Sequence, residues 1–298
     1  MASVVTTPKQ LDFTIRNLQD MPYSSKAFMV TPTYFNVEYV INPHMEGNIG
    51  EVDQDEAFNQ WNVVRDALRS TGLEIHEIQG QPHLPDMVFA ANQSLPALYS
   101  NGKKAAIMSI MHADQRKDEV PYIEQWYRQN GYEVNYLDEK NLQDFEGMGD
   151  AIWHTGKRLL WGGYGYRSSL EAYNQISEIL DVPVIALELT SEKFYHLDTC
   201  FCLLNEDSVL IYPEAFTEEG LSMIRDMFAN VYHAPQKEAE ELFACNATCP
   251  DGQNVVIQSG CTQTNSILKE AGFTVLEVDT SQFLKSGGSV FCMKMLVW

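Results

Sequence analysis

The sequence predicts an α/β fold made by repeating one small unit five times along 298 residues, and three observations predict it. Five amphipathic helical runs each end at a turn residue and lead straight into a strand-like run. Further strand-like runs fill the intervals between those joints. No glycine-rich phosphate loop follows any strand, as an open nucleotide-binding sheet would require. Five units of strands with one helix each point to radial repetition about an axis. A doubly wound sheet also alternates short strands with helices and stays open as the alternative. No linker, low-complexity tract or composition break divides the chain, so a single domain over residues 1–298 is expected.

The joints follow in order. Asp55 to Ser70 carries Phe58, Trp61, Val64 and Leu68 on one helical face, then Leu73-Glu74-Ile75. Glu119 to Gln129 presents Ile123, Trp126 and Tyr127 before Tyr132-Glu133-Val134. Leu170 to Leu180 presents Tyr173, Ile176 and Ile179 before Val182-Pro183-Val184-Ile185. Leu221 to Phe228 precedes Val231-Tyr232-His233, and Thr262 to Ala271 precedes Phe273-Thr274-Val275. Gly72, Gly131 and Gly272 stand where a helix stops in the left-handed region, which lacks steric cost without a Cβ. Between the joints, strands are expected at Phe28–Thr31, Tyr39–Ile41, Val88–Ala91, Ala105–Ser109, Leu159–Gly162, Thr199–Leu204, Val209–Tyr212 and Val255–Gln258.

A net charge of −21 argues against nucleic acid or an anionic membrane as partner. It would draw a small cation towards a cleft, though solubility alone also accounts for it. No secretory signal or membrane span is visible, so a cytoplasmic setting with reduced thiols is expected. Cys200 with Cys202 and Cys245 with Cys249 are spaced like metal-ligand pairs, but Cys202 continues into Leu203-Leu204 as a buried strand would. No metal site is expected.

Chemistry is suggested where polar residues interrupt apolar text. In Phe194-Tyr195-His196-Leu197-Asp198-Thr199, alternation places His196 and Asp198 on one face of an extended segment, a pairing suited to acid–base work. In Phe145-Glu146-Gly147-Met148-Gly149-Asp150, two carboxylates bracket a glycine turn. In Gly287-Gly288-Ser289-Val290-Phe291-Cys292, a thiol leaves a glycine turn at the start of a terminal strand. In Pro85-Asp86-Met87-Val88-Phe89-Ala90-Ala91-Asn92, Asp86 and Asn92 flank an apolar strand at even spacing. Each has a bland counterpart: a satisfied core histidine, an acidic surface turn, an inert core cysteine, a strand with polar ends.

Together and in this order, the four segments resemble the guanidino-group-modifying enzymes of the pentein superfamily. Tyr39-Val40-Ile41-Asn42-Pro43, Met45-Glu46-Gly47-Asn48 and Gly163-Tyr164-Gly165-Tyr166-Arg167-Ser168 extend the likeness from Phe28 to Val297. Within the superfamily the likeness is greatest to arginine dihydrolase, with dimethylargininase and arginine deiminase also similar. The resemblance implies a five-bladed α/β propeller of ββαβ-type modules around a central active-site cavity. It implies Cys292 as nucleophile, His196 as general acid/base and Glu146 as the carboxylate that orients it. Asp150 and Asp198 would contact guanidinium nitrogens, and Asn92, Asp86, Asn42 and Arg116 would bind substrate. Arg116 is the expected α-carboxylate ligand, because a guanidinium can offer two parallel hydrogen bonds.

On this reading the chain hydrolyses free arginine through an S-alkylthiouronium intermediate, in two cycles, to ornithine, ammonia and carbon dioxide. No metal or organic cofactor is implied, and the partner is a small-molecule substrate, arginine or a methylated arginine, with a homo-oligomer allowed. Dimethylargininases usually lack an aspartate at the position of Asp198. Deiminases and dimethylargininases generally carry an acid where this chain has Asn92, whose amide both donates and accepts. Dimethylarginine hydrolysis to citrulline and dimethylamine, and arginine deimination to citrulline, are the alternatives. An amidinotransferase and a non-catalytic propeller module stand further off.

Overall fold

In the computed structural model, which describes residues 2–298, the strands sort into five separate sheets. Each sheet holds one parallel pair joined through a helix. Lys26–Val30 runs through Gln54–Ser70 to Glu74–Ile78, and Lys104–Met108 through Val120–Gln129 to Glu133–Asn135. Leu160–Tyr164 runs through Leu170–Leu180 to Pro183–Glu188. Ser208–Ile211 runs through Glu218–Met227 to Asn230–His233, and Asn254–Gln258 through Thr262–Glu270 to Thr274–Val278. These are the five joints read from the periodicity. A short parallel pair needs such a crossover, because a tight turn can only return the chain antiparallel.

The first strand of each pair also has an antiparallel neighbour. Ser94–Leu98, Ala151–Trp153 and Phe201–Asn205 serve three sheets, and Met295–Val297 reaches back to Lys26–Val30. In the remaining sheet this neighbour is reduced to one bridge, Thr248 with Val256. Ser3–Val5 adds an edge strand beside Pro183–Glu188. The architecture is therefore mixed α/β, one order repeated: antiparallel strand, central strand, helix, parallel strand.

Local chemistry sets the boundaries. Asp53 accepts from the Glu56 amide at 3.0 Å to start the first helix, and Thr217 accepts from the Gly220 amide at 3.2 Å. Gly72, Gly131 and Gly272 end three helices with φ of 95°, 76° and 93°. Trp61, Val64 and Leu68 are buried as their spacing requires, whereas Phe58 on the same run is exposed.

Two expected strands are absent. Tyr39–Ile41 is irregular, and Pro85–Val88 forms a 3₁₀ turn followed by further turns through Asn92. Residues 85–92 are all buried, so their apolar text reflects burial and not extension. Ser94–Leu98 went unread because Pro96 interrupts it, and proline removes a ladder donor. Among the described residues, no helix is long and apolar enough to cross a membrane, and the six cysteines are unpaired and buried.

Candidate active site

The turns between these elements meet at a cavity of about 290 Å³. Asn42, Asp86, Asn92, Arg116, His196 and Cys292 line it, with Ile41, Met45, Phe89, Arg167, Tyr195, Ser286 and Gly287. Glu146, Asp150 and Asp198 stand behind that lining, each engaged with it or close to it. All nine residues singled out from the sequence therefore gather in one place, though not by the local geometry expected.

His196 and Asp198 do not sit on an extended strand. His196 is extended, but Leu197–Thr199 is a 3₁₀ turn and the strand begins only at Phe201. The turn sends the two side chains to different partners. His196 Nε2 lies 2.6 Å from Glu146 Oε2 and 4.0 Å from Asp150 Oδ2, while its Nδ1 lies 3.4 Å from Asn92 Nδ2. Asp198 Oδ2 accepts from the Cys292 thiol at 3.1 Å. Likewise Asp86 and Asn92 share no strand face. Asp86 accepts from Ser286 Oγ at 2.9 Å, and Asn92 Oδ1 accepts from Arg116 Nη1 at 3.0 Å.

Glycines let these groups approach. A Cβ on Gly149 would come within 2.4 Å of Asn92 Nδ2 and 3.4 Å of the His196 ring. Gly147, at φ 55°, presses on the backbone of Ser94, where a Cβ would meet the carbonyl at 2.4 Å. Gly287, at φ 85°, leaves room for Asn42 and for the Tyr195 hydroxyl, which donates to its carbonyl at 2.6 Å.

The carboxylates differ sharply in proton affinity. Burial would raise that of Glu146, but the hydrogen bond and charge of His196, with Arg167 and Arg116, bring its pKa down to about 2. Asp150 and Asp198 are pushed up to about 7 by burial, which their hydrogen-bond donors only partly offset. Burial and the neighbouring Asp198 carboxylate push the Cys292 thiol well above its ordinary range. A cation placed against Asp198 would reverse that last effect, because it favours both the carboxylate and a thiolate.

Arg116 is more committed than a free carboxylate clamp would be. Its Nε and Nη2 bind Glu119 at 3.0 and 2.8 Å, and Nη2 also donates to the Asp86 carbonyl at 3.0 Å. With Nη1 on Asn92, one N–H remains, so the two parallel bonds expected of it are not available in this arrangement.

Sequence reasoning missed several groups in and around the lining. Arg167 reaches Glu146 Oε2 at 3.3 Å and lies 4.9 Å over the Tyr195 ring, adding a second guanidinium to the cavity. It stands within the run Gly163–Ser168, where an arginine beside glycines was a usable signal. Lys294 is fully buried with no hydrogen-bond partner for Nζ, and it packs on the Phe291 ring. Asn246 touches Cys292 from behind, and nothing in Ala244-Cys245-Asn246-Ala247 announces it.

Known proteins share this arrangement of chain. Residues 32–297 match the family model described as N,N dimethylarginine dimethylhydrolase, eukaryotic. The chain is 36% identical over 279 residues to the bifunctional arginine dihydrolase/ornithine cyclodeaminase of Synechocystis sp., covering 91% of this chain and 37% of that protein. It is 32% identical over 271 residues to the N(G),N(G)-dimethylarginine dimethylaminohydrolase of Mycobacterium tuberculosis, covering 91% and 85%. Among solved structures, the N-terminal domain of a cyanobacterial arginine dihydrolase, bound to product, superposes with a TM-score of 0.85 at 34% identity over 92% of this chain and 97% of that one. A variant of that domain, solved covalently bound to a reaction intermediate, superposes equally well, with a TM-score of 0.85 at 34% identity over the same shares. The chain thus spans about 37% of the length of the bifunctional relative.

Proposed function

The chain belongs to the N,N-dimethylarginine dimethylhydrolase family of guanidino-group-modifying enzymes, and from that premise we propose that it hydrolyses free arginine in two cycles to ornithine, ammonia and carbon dioxide. One observation carries the reading: a thiol and an imidazole, each on its own buried carboxylate at 3.1 and 2.6 Å, border one polar cavity. Binding alone needs no such pair. We read the five sheets as blades of a propeller around that cavity, one catalytic unit over residues 1–298. The repeated strand order and the return of Met295–Val297 to Lys26–Val30 support this. A cytoplasmic setting, in which the thiols stay reduced, goes with it.

In the proposed reaction the guanidinium lies between Asp150 and Asp198, which hold its nitrogens and align its carbon with Cys292. The incoming cation takes over Asp198, the thiol passes its proton to His196 on the border of the same cavity, and sulfur attacks the carbon. His196, held in place by Glu146 at 2.6 Å, passes that proton to the leaving nitrogen, and ammonia departs. The S-alkylthiouronium that remains is attacked by water, which loses its proton to His196. Sulfur leaves and the ureido compound forms. In the second cycle sulfur attacks the ureido carbon, ammonia leaves, and water releases a carbamate that loses carbon dioxide. Two waters are consumed and two ammonia molecules released per arginine. Arg116 and Arg167 supply positive charge for the α-carboxylate, and Asp86, with Oδ2 unpartnered, supplies an acceptor for the α-amino group.

Asn92 favours two cycles over one. Arg116 binds its Oδ1 and so fixes its Nδ2 toward His196, which presents a neutral donor and not a second carboxylate to the reacting carbon. Asp198 Oδ1 is buried without a donor, which suits an unmethylated N–H. The family match favours dimethylarginine hydrolysis as the second reading. Purified protein given arginine should release ornithine with two equivalents of ammonia. Citrulline as the end product would reject the second cycle. Inertness to arginine with dimethylamine release from dimethylarginine would establish the second reading.

A further inference from the structure

Cys292 has a neighbour on the side away from the cavity. Asn246 Nδ2 donates to Cys292 Sγ at 3.2 Å and to the Asp198 carbonyl at 3.0 Å. Its Oδ1 accepts from the Ser289 amide at 2.9 Å and the Cys292 amide at 3.3 Å. A carboxamide has two donors and two acceptor sites, and all four are used. Two backbone N–H groups facing Oδ1 also fix which end is which, because the flipped amide would set N–H against N–H. Asn246 itself is held firmly. Its carbonyl accepts from the Phe291 amide at 2.9 Å, and its amide donates to the Phe243 carbonyl at 2.8 Å. Phe243 ends the helix Gln236–Leu242 at φ 51°, in the left-handed region where a bulky residue is rare. The whole of Asn246 is buried, and it does not line the cavity.

We propose that Asn246 serves the reaction in two ways: Oδ1 clamps the turn that presents Cys292, and Nδ2–H stabilises negative charge on the sulfur from behind. The inference rests on Cys292 being the nucleophile of the proposed reaction. Hydrogen bonds to an anion are about twice as strong as neutral ones, so this donor matters most when the thiol has ionised. It also acts whether or not substrate is bound, unlike a guanidinium drawn to Asp198. The charged and titratable groups facing the sulfur are Asp198 and Lys294, with Asp86, Arg116, Arg167, Tyr195 and His196 around the cavity and Glu146 behind His196. None of these changes in the test.

Asn246→Asp keeps an acceptor for the two backbone amides and replaces the donor beside sulfur with a carboxylate oxygen. Asn246→Ala removes both functions. The probes are iodoacetamide, which is neutral, and chloroacetamidine, which carries the amidinium charge. Alkylation of Cys292 is followed by mass spectrometry against pH, with Cys292→Ser as blank. The expected result is a rise of about one to two pH units in the thiol titration of both variants, with kcat on arginine at least tenfold lower and KM within about twofold. A merely structural role would lower the melting temperature and leave the alkylation profile unmoved. Folded Asn246→Asp protein with the parental alkylation profile and kcat would overturn the inference and leave the proposed function standing. Failure of chloroacetamidine to modify Cys292 in the parent protein would remove both.

Discussion

Asp150 and Asp198 show what the site asks of single residues. Each carboxylate is fully buried, and burial holds its pKa near 7, against an ordinary value near 3.8. A folded-state pKa above the unfolded one means that the native protein binds more protons between those values. Stability is therefore greatest in acid and falls as pH rises from about 4 to about 7. Across that window each carboxylate costs roughly 1.4 kcal/mol of stability for every pH unit climbed. Asp150→Asn keeps an oxygen for the Leu197 amide, now at 3.0 Å, and a group for Ser168 Oγ, now at 2.7 Å. The variant should thus be more stable than the parent by a few kcal/mol at pH 8 and indistinguishable near pH 4, as urea unfolding at both values would record. It should also lose roughly 10- to 100-fold in kcat/KM, since a charged hydrogen bond to the guanidinium disappears. Equal stabilities at pH 8 would mean that Asp150 is not held against its ionisation. Such carboxylates were legible in the sequence because acids inside apolar text are conspicuous. Asn246 and Lys294 were not. An amide among alanines and cysteines has no pattern, and a lysine near the chain end reads as solvated until burial is seen.

At the scale of elements, the helix-to-strand joints were legible because a helical stripe followed by a left-handed glycine has no other simple meaning. The segments that carry the site were read with the wrong local structure. Residues 85–92 and 196–199 are turns whose apolar composition comes from burial, and the period-two alternation in them was accidental. Convergence came instead from the antiparallel strands that were hard to see, such as Ser94–Leu98 with its internal proline. One element-level device was also invisible. Glu238, buried on the helix Gln236–Leu242, accepts from the Gln263 and Thr264 amides at 2.8 Å and from Thr264 Oγ1 at 2.6 Å. It thereby caps the helix Thr262–Glu270 from another element. Glu238→Ala should cost about 2–3 kcal/mol, because it strands buried donors and removes a negative charge from a helix N-terminus. Chemical denaturation would measure it. A cost below about 0.5 kcal/mol, the scale of an ordinary surface substitution, would show that the helix start is satisfied otherwise.

For the whole molecule, the net charge of −21 is the property with the longest reach. It surrounds a cavity whose own lining includes two guanidiniums, so the field that a substrate meets far out is opposite in sign to part of what it meets inside. Arginine carries one net positive charge, and citrulline, the same skeleton with a ureido group, carries none. Long-range attraction should therefore concentrate arginine at the mouth and leave citrulline indifferent. Salt screens charges beyond a Debye length of about 10 Å at 0.1 M and about 3 Å at 1 M, while contacts inside the buried site are screened far less. Raising sodium chloride from low concentration to about 0.5 M should accordingly lower kcat/KM for arginine several-fold, mainly through KM. The same titration with citrulline as substrate should be flat. If both substrates fall together, the salt acts on the buried carboxylates or on folding, and the acidic surface serves solubility alone.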